Sequence, residues 1–243
     1  MKLDILAIAA HPDDVELGCS GTLMVEKSRG KKVGIIDLTR GELGTRGTPE
    51  IREKESEEAL KIMELDVREN LGLEDGFFQN SKADQLKVIR AIRKYRPEII
   101  LANAPQDRHP DHARGADLIR DSAWLSGLRK IETLDSEGNP QEPWRPSYVF
   151  HFIQDRFLEP DFVVDISTVM NKKLDSIRAY STQFDTSPDH EPQTYISTPG
   201  FLQSIVDRSR LLGKYIGVEF AEGFISSKML GVKNFDAFIQ HQT

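Results

Sequence analysis

Read along the chain, short apolar runs alternate with segments whose apolar residues recur every three or four positions. Ile5-Leu6-Ala7-Ile8-Ala9-Ala10 is unbroken, the pattern of a strand covered on both faces. Residues 20–30 carry Leu23, Met24 and Lys27 on successive turns with Gly30 at the end, which predicts a helix. Val33–Thr39 predicts a second strand, followed by a glycine-rich loop over Gly41–Gly47. Thr48-Pro49 supplies an N-cap and a first-turn proline, opening a helix that runs to about Leu65 with Ile51, Ala59, Ile62 and Met63 on its apolar face. Asn70–Leu73 reads as a short third strand. Leu86, Ile89 and Ile92 give helical spacing over 82–95, Pro97 ends that helix, and Ile99–Ala102 is a fourth strand.

The second half is less regular. Tyr148–Ile153 and Phe162–Ile166 predict strands, and residues 168–182 and 200–214 predict helices. Residues 135–146 are polar, with proline and glycine, and read as a surface loop; Asp185–Thr198 is a two-proline loop placed to wall a site. The β-α-β-α alternation predicts a Rossmann-like, mainly parallel α/β sheet flanked by helices, with right-handed crossovers and a C-terminal α/β elaboration. A single domain over 1–243 is expected, with its core over about 1–130 and the elaboration over about 131–243.

Composition narrows the class. An apolar content of 38% with 29% charged residues is that of an ordinary globular protein. A net charge of −7 argues against nucleic-acid partners, which select basic patches. No apolar run approaches the roughly 20 residues that span a bilayer, and Lys2 and Asp4 interrupt the N-terminus where a leader would be apolar, so a cytoplasmic protein without membrane contact is expected. The lone Cys19 excludes an intrachain disulfide and reads as a small packing residue.

Two motifs carry the chemistry. His11-Pro12-Asp13-Asp14 directly follows the first strand and His109-Pro110-Asp111-His112 follows the fourth, and together they hold three of the six histidines. In a doubly wound sheet these two strands lie side by side where the strand order reverses, and ligands bind at their carboxyl ends. A divided metal site is the natural reading. Catalytic zinc takes three protein ligands and keeps one position open; His11, Asp14 and His112 supply such a set, leaving Asp13 free beside the metal. A nucleotide-binding turn is the rival reading. There Asp13, Asp14 and Glu16 would repel a pyrophosphate, and Gly18 and Gly21 come too late in the turn.

Ala10-His11-Pro12-Asp13-Asp14-Val15-Glu16, together with His109-Pro110-Asp111-His112, resembles the PIG-L/LmbE-type zinc-dependent N-acetylglucosamine deacetylases. The likeness runs on through Gly41–Arg52 to the closing Ala221-Glu222-Gly223-Phe224. Within that family the sequence is most similar to the bacillithiol-biosynthesis deacetylases, which act on N-acetylglucosaminyl malate. The resemblance implies His11, Asp14 and His112 as ligands to zinc, or to another divalent ion such as Fe²⁺. It implies Asp13 as general base and His109 as the histidine facing the tetrahedral intermediate. Asp111 would orient His109 and keep it protonated, and Arg52 would lie near the substrate. A homo-oligomer is implied as well. Glu16 is assigned no chemistry.

The implied chemistry is consistent with these side chains. Zinc polarises a carbonyl and acidifies water, a carboxylate within hydrogen-bond reach serves as base, and a histidine donor stabilises the developing oxyanion. Whether Asp13 or His109 protonates the leaving amine stays open. Arg46, Arg52 and Arg108 are candidate contacts to the substrate, because a malate aglycone carries two carboxylates and arginine pairs with these as a fork. Arg52 has an alternative partner in Glu55, three residues on. His151 and Tyr195 are candidate wall residues, and His190 and His241 are expected to be exposed. The expected function is metal-dependent removal of the N-acetyl group from an amino-sugar conjugate. A metal-dependent phosphoesterase and a non-catalytic sugar- or nucleotide-binding domain are the alternatives.

Overall fold

The first strand, β1 (Ile5–Ala9), decides the layering. Successive strand side chains face opposite ways, so Ile5, Ala7 and Ala9 enter one core while Leu6 and Ile8, with Ala10 just beyond, enter the other. Two helical layers therefore sandwich the sheet, and each fully buried leucine or isoleucine contributes on the order of 1.5–3 kcal/mol.

The computed structural model describes residues 1–187 and 192–238; His190 and His241 lie outside them. After β1 come α1 (Asp14–Gly18), α2 (Ser20–Ser28), β2 (Val33–Thr39), α3 (Pro49–Met63), β3 (Val67–Leu73), α4 (Lys82–Tyr95), β4 (Ile99–Ala102) and α5 (Pro110–Leu125). The remainder is β5 (Tyr148–Phe152), β6 (Phe162–Asp165), α6 (Met170–Arg178), α7 (Ser181–Phe184), α8 (Pro199–Ile216) and β7 (Ala221–Ser226). The strands form one sheet in the order β3-β2-β1-β4-β5-β7-β6. The first five in that order are parallel, and β7 runs antiparallel to both β5 and β6. Residues of α3, α6 and α8 pack on the face that takes Ala7, and residues of α4 and α5 on the face that takes Leu6. No helix among the described residues is long and apolar enough to cross a membrane.

Three local expectations need correction. The third strand begins at Val67, not Asn70, and Arg68 had obscured it. That side chain is buried because Nη1 donates to Glu16 (2.6 Å) and Nε donates to Asp37 (2.7 Å), and a paired charge can enter a strand where a lone one cannot. The helix expected over 168–182 stops at Arg178, and a separate turn, α7, starts at Ser181. Finally β7 was not anticipated as a strand: Glu222 and Gly223 break its apolar pattern. Glu222 is buried because its oxygens accept from the Gly21 and Thr22 amides at the start of α2 and pair with buried Lys173.

Candidate metal and catalytic site

The loop after β1 and the loop into α5 meet at the carboxyl ends of β1 and β4, which pair through Ile5–Ile99 to Ile8–Ala102. The rings of His11, His109 and His112 cluster there, with centroids 4.8, 5.6 and 5.3 Å apart. His109 is the N-cap of α5, and its Nδ1 accepts from the Asp111 amide at 3.3 Å. Nδ1 is thereby an acceptor, and Nε2 is the nitrogen left to carry the proton.

His11, Asp14 and His112 come together around Asp14. His112 Nε2 lies 3.1 Å from Asp14 Oδ1 and His11 Nδ1 lies 3.5 Å from Asp14 Oδ2. The other nitrogen of each ring is anchored by carboxylate: His112 Nδ1 to Asp107 at 2.6 Å, and His11 Nε2 to Asp75 at 3.1 Å and Asp111 at 3.3 Å. Imidazoles held this way surround protein-bound metals, since the outer carboxylate fixes the tautomer and raises ligand basicity. Two nitrogens and a carboxylate oxygen suit Zn²⁺ or Fe²⁺. The residues fit the expected ion. Donor atoms of His11, His109 and His112 lie within 4.8 Å of one another, as do those of His11, Asp75 and Asp111.

Charge at this point is strongly organised. Burial opposes ionisation of His11, but its hydrogen bonds to Asp111, Asp14 and Asp75 outweigh that and carry its pKa well above the ordinary value. For His112, burial is outweighed by the charge of Asp14 and the bond to Asp107, and its pKa is pushed up to about 9. Burial would raise Asp14, yet His112 and His11 hold it well below the usual carboxylate range. His109 moves the other way, lowered by burial and then by the positive charges of His11 and His112. The expectation that Asp111 orients His109 and keeps it protonated is therefore corrected. The Asp111 carboxylate serves His11, Arg114 and the Gly76 amide.

Asp13 stands beside this cluster with a backbone φ of 117°, a region that L-residues enter only under strain. Burial pushes its pKa up to about 7, the neighbouring Arg52 charge opposing that and Asp14 adding to it. Arg52 Nη2 donates to Asp13 Oδ2 at 2.9 Å and to the Pro12 carbonyl. Its expected alternative partner, Glu55, instead accepts from Ser181 and Thr182. Gly41 has φ 65°, and a Cβ there would lie 3.1 Å from the Arg52 guanidinium carbon, so a glycine suits this turn of the loop.

A cavity of about 460 Å³ opens above the cluster, lined in part by His11, Asp13, Asp14, Arg52, His109 and His112. Arg108 and Tyr195 stand among its other lining residues. The Arg108 side chain is 47% exposed, lies 3.3 Å from Asp155 and stacks 4.4 Å over the Tyr195 ring. Arg46 does not line the cavity. It is buried and donates to the carbonyls of Asp185 and Pro192, tying the late loop to the glycine-rich one, so its expected role as a substrate contact is corrected. His151 is likewise no wall residue; its buried ring bonds the Asn103 carbonyl at 2.7 Å. Cys19 is buried in the core. Sequence reasoning missed Asp75, Asn103, Asp107 and Gln154. Each follows the carboxyl end of a strand, β3, β4 or β5, and that position was the available signal.

A doubly wound α/β protein with a histidine–carboxylate cluster at its strand ends is thus defined by fold and site. Residues 6–123 match the model of the PIG-L family, described as GlcNAc-PI de-N-acetylase. The chain is 39% identical to a conserved protein of Thermus thermophilus, whose crystal structure superposes with a TM-score of 0.84 over 95% of this chain and 98% of that one. It is 26% identical to the diacetylchitobiose deacetylase of Thermococcus kodakarensis, over 90% of this chain and 81% of that protein. A probable N-acetyl-alpha-D-glucosaminyl L-malate deacetylase 2 of Bacillus subtilis is 26% identical over 75% of this chain and 84% of its own length.

Proposed function

We propose that this protein is a divalent-metal-dependent deacetylase of N-acetylglucosaminides, with zinc as the metal. One observation carries the reading: His11, Asp14 and His112 converge from two strand ends while Asp13, buried and paired with Arg52, stands free of that set. The relatives named for deacetylation of diacetylchitobiose and of a glucosaminyl malate support the same reaction class.

His11, Asp14 and His112 would hold the ion, which when bound polarises the acetyl carbonyl and acidifies water. Asp13 takes the proton of the attacking water. Its pKa of about 7 suits a group that must both accept and return a proton near neutrality. His109 offers Nε2–H to the carbonyl oxygen as negative charge develops there, and it does so as a neutral donor. Arg52 holds Asp13 and the strained Pro12–Asp13 segment in place.

For the aglycone we propose the malate glycoside, the substrate of bacillithiol biosynthesis. Arg108 supports this: it lines the cavity, and half of its side chain remains exposed. The test is release of acetate and free amine from N-acetylglucosaminyl malate, diacetylchitobiose and methyl N-acetylglucosaminide, with and without chelator. Chelator-sensitive turnover establishes the metal reaction, and absence of amine from all three refutes it. Arg108→Ala should cost the malate glycoside roughly tenfold to a hundredfold relative to the methyl glycoside, the worth of a charge-assisted hydrogen bond. Equal losses on both would move malate recognition elsewhere.

A further inference from the structure

Asp14 sits within a chain of side-chain amides whose direction is set by the backbone. The Ala10 amide donates to Asn103 Oδ1 at 2.8 Å, so the other end of that carboxamide must be the NH₂. Asn103 Nδ2 then donates to Asp14 Oδ2 at 3.1 Å and to Gln154 Oε1 at 3.4 Å. Gln154 Nε2 in turn donates to Asp14 Oδ1 at 2.6 Å. Both amides are buried, Asn103 just beyond β4 and Gln154 just beyond β5, so three neighbouring parallel strands contribute to one carboxylate. His151 fixes the Asn103 backbone from β5 through its bond to the carbonyl.

The acceptor positions of Asp14 can be followed one by one. Oδ2 accepts from the His11 amide at 2.9 Å and from Asn103, and on its inner side faces His11 Nδ1 at 3.5 Å. Oδ1 accepts from Gln154, and its remaining side faces His112 Nε2 at 3.1 Å. Only neutral donors occupy the outer positions. A lysine or arginine there would offset the carboxylate charge and compete with a metal ion, whereas an amide fixes the rotamer and leaves the full negative charge for the inner side.

We propose that Asn103 and Gln154 are positioning residues which hold Asp14 as a charged, single-rotamer ligand and thereby set the affinity of the site for its divalent ion. The proposal rests on the metal reading above. The test measures ion binding alone, without substrate. Zn²⁺ affinity of the wild type, Gln154→Met and Asn103→Leu is determined by competition with a chromophoric chelator at fixed pH. Co²⁺ absorption spectra report ligand geometry, and thermal melting of the metal-free proteins reports folding. Loss of an outer hydrogen bond to a metal ligand weakens binding by about 10–100-fold, and that loss with an altered Co²⁺ spectrum is expected for Gln154→Met. Asn103→Leu also orphans the Ala10 amide; if it fails to fold, Gln154→Met decides. A Gln154→Met protein that binds Zn²⁺ within twofold of wild type overturns the clamp while leaving the deacetylase reading intact. A wild type that binds no Zn²⁺ or Co²⁺ overturns both.

Discussion

Replacing Arg52 with alanine separates two roles for this side chain, because the structure pairs it with Asp13 and not with solvent or Glu55. An opposite charge at hydrogen-bond distance lowers a carboxyl pKa by about 1–3 units. Removing the guanidinium should therefore carry Asp13 from about 7 to roughly 8–10. In the metal-free protein at pH 7 the ionised fraction then falls from about one half to between about one in ten and one in a thousand. On the acid limb of the profile, below both pKa values, the corresponding loss in kcat/KM is about tenfold to a thousandfold, a decade per pKa unit. A bound divalent ion moves the profiles of both enzymes downward together and leaves their difference. The assay is the pH dependence of kcat/KM on the malate and methyl glycosides. The acid limb should move to higher pH by the same amount on both substrates, and activity should largely return as pH rises. An unshifted profile with a loss confined to the malate glycoside would refute this reasoning and make Arg52 a contact to the aglycone.

His11→Ala, Asp14→Ala and His112→Ala should each lose bound zinc together with activity; full zinc occupancy in one of them, by metal analysis, removes that residue from the ligand set. Asp13→Asn should keep its metal and its fold while turnover falls by about a hundredfold or more, the usual contribution of a general base; near-normal turnover would end its assignment. For the metal-free protein, the raised pKa of His112 makes a stabilising contribution that is fully present below 6.5 and lost as pH rises through about 9. Its melting temperature should accordingly fall across that window. Zinc affinity should rise over the same window as protons leave the ligands, and parallel trends in the two measurements would contradict the assignment.

The periodicity of the chain and its two His-Pro-Asp motifs carry most of the frame. Burial on both faces is written into Ile5–Ala10, a helix start into Thr48-Pro49, and the adjacency of the first and fourth strands into the β-α-β order, because each follows from interactions within a few residues or from crossover handedness. What each polar group bonds to was decided only by the tertiary structure. Asp111 serves His11 instead of His109, Arg52 holds Asp13, Arg46 ties down a loop some 140 residues away, and Asp75, Asp107, Asn103 and Gln154 complete the site. A local pattern records whether a position is buried. The partner of a buried charge is chosen by whichever opposite charge or hydrogen-bonding group the packed loops bring within about 3 Å, and that proximity exists only once the sheet has formed.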